Sequence, residues 1–66
     1  MGLKEILRRN RLQQKAVAEG LGVSRQTVCF WVNGRVVPTG ENLSRLLEYL
    51  RQFEPSLEVS DLLRAA

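Results

Sequence analysis

Apolar residues recur along this chain at spacings of three and four, and no stretch alternates apolar with polar residues as a half-buried strand would. The groups are Leu3, Ile6 and Leu7; Val17, Ala18 and Leu21; Val28, Trp31 and Val32; Leu43, Leu46, Leu47, Leu50 and Phe53; and Val59, Leu62 and Leu63. The pattern predicts an all-α chain: a compact bundle of five short helices with no repeat or low-complexity segment. Sixty-six residues leave room for one domain, taken as residues 1–66. Its stability must come from packing and from a partner, because a single cysteine, Cys29, excludes an internal disulfide.

The same composition narrows the function. The chain has no histidine and no second thiol, so the usual zinc sets cannot form within it, and no metal or other cofactor is expected. Without histidine or a glycine-rich phosphate loop no catalytic set can be named, which makes this a binding protein rather than an enzyme. No segment approaches the roughly 18 consecutive apolar residues of a spanning helix, and the N-terminus lacks the apolar region of a signal peptide. The expectation is a cytoplasmic protein with no membrane partner.

Breakers and caps place the boundaries. A first helix is expected over about 2–10, ended by Asn10 and Arg11, and a second from about Gln14 to Gly20, followed by a tight turn in which Gly22 takes up left-handed backbone. Ser24 is a good N-cap for a third helix running to about Asn33, with Val23 and Val28 as a hydrophobic staple and Gly34 as the stop. Thr39 is read as the cap of a fourth helix that Pro55 breaks, and Ser56 as the cap of a short fifth whose inward face is Val59, Leu62 and Leu63.

Charge is lopsided. Residues 1–35 hold seven cations against two anions, net +5, whereas residues 36–66 hold three against five, net −2. Clustered Lys and Arg favour a polyanion through counterion release, so the front half is the candidate face for one; an arginine-rich solvated surface is the plainer alternative.

The third helix can be read face by face. At about 100° per residue Val28, Trp31 and Val32 share the core side, while Gln26, Phe30 and Asn33 fall nearly opposite, flanked by Thr27 and Cys29, with Arg25 at the exposed tip. Gln and Asn can pair bidentately with adenine and Arg with guanine, so this row suits base edges, although surface polarity also explains it. Phe30 is discordant, since an exposed aromatic needs a partner: thymine methyls and sugars, another subunit, or a core that extends further round the helix than this face assignment draws it. Ser24 and Thr27 serve equally well as helix caps, and Cys29 reads as a packing residue.

From Gln14 to Gly34 the chain resembles the helix-turn-helix of the lambda-type repressor and Cro family. The resemblance lies in Gln14 opening the second helix, the small Ala18 at the helix crossing, Gly22 in the turn, Val23 after it, apolar Val28 and Trp31, Asn33-Gly34 closing the third helix, and Pro38 before the fourth. It extends over about residues 3–63. The chain departs from the family at Gln13, where Ser, Thr or Asn is usual; at Ala16, often Glu; and at Gly20, which inside a helix costs up to ~1 kcal/mol against alanine. It departs again at Val32, where a Glu commonly pairs with a basic residue of the first helix; here Leu7 is expected to face Val32.

The resemblance implies a sequence-specific regulator that binds double-stranded DNA and acts by operator occlusion, with residues of about 24–33 in the major groove. Arg25, Gln26, Thr27, Phe30 and Asn33 would read bases, and Gln14, Lys15, Arg11, Ser24 and Arg35 would contact phosphate. One module offers too few base contacts for an operator, so a homodimer on a palindromic or pseudo-palindromic site is expected, joined through Phe53, Pro55, Leu57 and Val59. The alternative is a protein-interaction module of the same fold, an antitoxin or anti-repressor component, for which Phe30, Cys29 and the modest net charge speak.

Overall fold

A computed structural model describes residues 2–62 throughout and the backbone of residue 63. Five helices follow one another, α1 (Leu3–Arg9), α2 (Gln14–Leu21), α3 (Arg25–Val32), α4 (Gly40–Leu50) and α5 (Val59–Leu63), with no strand among the described residues. The first four deliver their apolar faces to one core, in which Ile6, Val17, Val28, Leu46 and Leu50 are fully buried. α2 lies against α3 most extensively, with the small side chain of Ala18 buried where they meet, and α4 closes over α2.

Local chemistry sets the front boundaries. α1 ends because Arg11 turns into left-handed backbone (φ 56°), which lets the Leu12 amide donate to the Leu7 carbonyl at 2.8 Å and close the last turn. α2 ends the same way at Gly22 (φ 72°), the Val23 amide donating to the Ala18 carbonyl at 3.0 Å. A guanidinium nitrogen of Arg45, on α4, then donates to the Leu21 carbonyl at 2.6 Å, so α4 grips the end of α2 beside the turn. Gly20 has a packing reason for standing inside α2: a Cβ there would come within 2.5 Å of Tyr49 Cε1, because the ring lies directly on the helix backbone. That ring also tilts against Phe53, with centroids 5.8 Å apart.

The rear departs from the sequence expectation in several ways. Thr39 precedes α4 but its side chain makes no capping bond. α4 ends at Leu50, well before Pro55, and Phe53 lies beyond it in a turn, 44% exposed. The apolar stripe outruns the helix because spacing alone does not reveal where the backbone bonds change: Phe53 donates to Leu50, a tighter turn than the α-helical one. Ser56 caps nothing, since α5 begins at Val59, and there the Glu58 amide donates to Asp61 Oδ2 at 3.0 Å in its place. Val59 is exposed rather than inward, Leu62 is buried, and the side chain of Leu63 lies outside the described residues.

Leu57 is the largest correction. It is not available to a partner: only 3% of it is exposed, and it fills the core between α4 and α5. The later start of α5 puts Leu57 in a segment that folds inward, and Arg51 holds it there by donating its Nε to the Leu57 carbonyl at 2.9 Å. Glu54 fixes the same segment to α1. Its carboxylate accepts from Arg9 at 2.8 and 2.5 Å and from Asn10 Nδ2, while Asn10 also donates to the Ile6 carbonyl.

Candidate nucleic-acid interface

α3 begins at a side-chain cap. Ser24 Oγ accepts from the Thr27 amide at 3.1 Å and is hydrogen-bonded to Thr27 Oγ1 at 2.7 Å, so both hydroxyls are engaged with each other at the helix start. Val28, Trp31 and Val32 face the core. On the other side Arg25, Gln26 and Asn33 are exposed, and Thr27, Cys29 and Phe30 are half-buried. The outward row expected from helical spacing is therefore present, with Phe30 resting partly in the surface rather than standing free.

After α3, Gly34 (φ 73°) reverses the chain, and the amides of Arg35 and Val36 both donate to the Phe30 carbonyl, at 2.9 and 3.4 Å. Arg35 leaves this turn exposed, followed by exposed Val36 and Val37 and by Pro38, which is buried. Asn33 Nδ2 donates to Cys29 Sγ at 3.2 Å, fixing one of its two amide hydrogens.

Of the phosphate candidates, Arg11, Lys15 and Arg35 are exposed and form no side-chain hydrogen bond or ion pair among the described residues; the same holds for Arg25. Gln14 opens α2, where Gln13 supplies no side-chain cap to the first amides of the helix. Two other front-half cations are paired. Arg8 meets Glu5 at 2.5 Å, and Arg9 meets Glu54 at 2.5 Å. Hydrogen bonding from Arg8 lowers the Glu5 carboxyl pKa, and bonding from Arg9 and then Asn10 lowers that of Glu54.

The structure brings Gln14 and Asn33 to one cleft, with Lys4 and Arg8 of α1 on its rim and Leu7, Leu12 and Val32 beneath. Leu7 and Val32 thus line the same site, where the family often carries an ion pair. The sequence reading missed Lys4 and Arg8; the available signal was their spacing of four on α1, flanking Leu7. Of the residues assigned to a dimer contact, Phe53, Pro55 and Val59 are exposed and Leu57 is not.

A helix-turn-helix family model matches residues 3–57, so that α1 to α4 fall within it and α5 lies beyond. No curated protein and no solved structure matches the chain. The match covers most of the residues and coincides with a capped α3 set across α2 by a glycine turn: the chain belongs to the lambda repressor/Cro-type helix-turn-helix family of DNA-binding regulators.

Proposed function

We propose that this chain acts as a single DNA-binding domain that reads a specific operator with α3 in the major groove and regulates transcription by occluding that operator. The observation that carries this reading is the division of α3 into a buried face of Val28, Trp31 and Val32 and an opposite row of Gln26 and Phe30, with Arg25 at the tip. Arg25 and Gln26 read base edges, and Thr27 contributes its methyl side, its hydroxyl being engaged by Ser24. Phe30 contacts thymine methyls or sugars. Ser24 acts chiefly as the cap, and Asn33 turns toward the cleft beside Gln14. Arg35, Lys15 and Arg11 contact phosphate.

Two copies bind a palindromic or pseudo-palindromic site, with half-sites about 34 Å apart, through exposed Phe53, Pro55 and Val59. A domain seated this way blocks a promoter by its presence alone.

Selection of bound sequences from random duplex DNA tests the reading. The wild type should yield a two-fold motif, and Gln26→Ala should relax one position in each half-site, where a good bidentate pair discriminates by ~1–3 kcal/mol. Arg35→Ala should weaken all sequences alike and lower the salt slope by about one per module. Val59→Glu, at an exposed position, should leave the fold intact and remove cooperative protection of paired half-sites. No salt-dependent retention on duplex DNA would refute the reading in favour of a protein-binding module.

A further inference from the structure

We propose that Ser24 is a positioning residue: by holding the Thr27 hydroxyl it makes Thr27 a reader of the pyrimidine 5-methyl group, which thymine and 5-methylcytosine share. The inference rests on the DNA-binding reading above and adds that cytosine methylation at one base pair of each half-site strengthens binding.

The observation is a pair of hydroxyls at the start of α3. Ser24 Oγ accepts from the Thr27 amide at 3.1 Å and lies 2.7 Å from Thr27 Oγ1. The Thr27 hydroxyl has no other side-chain partner among the described residues. Threonine is stiff about χ1 because its Cβ carries two heavy atoms, and in a helix its hydroxyl ordinarily divides between rotamers. Here Oγ1 is anchored to Ser24, three residues back, and the place of the methyl is fixed with it. To meet a donor or acceptor on a base edge, Oγ1 would have to leave that bond. What Thr27 offers the groove is therefore its methyl. Thr27 is half-buried, as is Phe30 one turn further along the same side, so the two form an apolar step beside the exposed polar side chains of Arg25 and Gln26.

An apolar step distinguishes bases by one group. In the major groove thymine presents O4 and a 5-methyl, whereas cytosine presents an N4 donor and a bare C5. Methylation at C5 gives cytosine the same methyl in the same place without changing its pairing with guanine. A side chain that uses no polar atom at this position accepts both methylated pyrimidines, and burying one methyl contributes about fourfold in affinity per half-site. Ser24 thereby sets a base preference through Thr27 rather than through a base contact of its own.

The test uses the full chain on its selected site, in duplexes where each thymine is replaced in turn by deoxyuridine and each cytosine by 5-methyldeoxycytidine. For the wild type, losing the methyl at one position per half-site should weaken binding about fourfold, and cytosine placed there should regain about fourfold on methylation. Glycine is tolerated as an N-cap, so Ser24→Gly should stay folded while the freed hydroxyl erases the methyl preference at that position. Thr27→Val should retain the preference and restore it in the Ser24→Gly chain, since valine has no hydroxyl to fix. Thr27→Ser, which keeps the hydroxyl pair and loses the methyl, should abolish it. A cap that is only structural would instead weaken all these duplexes alike in Ser24→Gly. A wild type indifferent to the methyl at every position, or a pattern of methyl preference unchanged in Thr27→Ser or in Ser24→Gly, would overturn the assignment. Failure of the wild type to bind duplex DNA would overturn the parent reading instead.

Discussion

From α1 to the end of α3 the bonds that end one helix and start the next are short in sequence: Leu12 to Leu7, Val23 to Ala18, Thr27 to Ser24, Arg35 to Phe30. In the segment after α4 the shape depends on residues far away, because Glu54 reaches Arg9 and Asn10, 45 and 44 positions back, and Leu57 is held by burial against the whole core. The turns of the front thus rest on bonds local in sequence, while the path of the rear rests on contacts with α1 and with the core. The same division runs through the charges, since the rear carboxylate Glu54 draws Arg9 out of the basic front surface.

The largest expected effect tests whether the rear is core or interface. Leu57→Asp removes a buried side chain worth ~2–5 kcal/mol when truncated and leaves a charge without a partner. A domain of this size has only about 3–10 kcal/mol in hand, so the free protein should lose its helical circular dichroism. A folded Leu57→Asp that had lost only cooperative DNA binding would return Leu57 to an interface.

Next comes Gly20→Ala, where the two regions touch. Helix propensity alone predicts a gain of ~1 kcal/mol, but the added methyl must displace the Tyr49 ring, an overpacking cost of ~1–3 kcal/mol. Thermal unfolding should show net destabilisation, and Tyr49→Ala in the same chain should restore the propensity gain; a more stable single variant would mean that the ring moves aside freely. Within the front, Ser24→Ala should cost ~1 kcal/mol, a local cap loss that leaves the rear untouched. Hydrogen exchange resolved by residue would show protection lost at the start of α3, and loss spread evenly over α5 would blur the contrast between the regions.

The smallest effect is one of pH. Arg9 and Asn10 lower the pKa of the Glu54 carboxyl, so its contribution to stability is present above its unfolded pKa and fades as pH falls through the lower folded value. Glu54→Gln should therefore melt below the wild type at neutral pH, with the gap closing in acid. A constant gap across that range would assign the loss to shape rather than charge.

These differences explain what could be read from the sequence. Gly22, Ser24 and Gly34 announce their roles by residue type, and the core faces of α1 to α3 follow from spacing, so the family and the outward row of α3 were legible. Phe53 and Leu57 were misplaced because the path between α4 and α5 is set by Arg51, Glu54 and the partners they find in the folded chain. The cleft was missed for a related reason: Lys4, Gln14 and Asn33 belong to three different helices, and no window along the chain contains them together.

One consequence follows from α4. Its 11 residues span about 16 Å, and it carries Arg45, which grips the end of α2, and Tyr49, which leans on Phe53 at the exposed rear. In a pair of copies joined at that rear surface, α4 serves as a ruler between the joint and the two reading helices. Substitutions at the exposed rear positions would reset how two copies meet without altering any residue of the outward row of α3. Such a change would leave each half-site's preferred letters intact and shift the number of base pairs between them, so that operator spacing and operator sequence could diverge independently among descendants of one regulator.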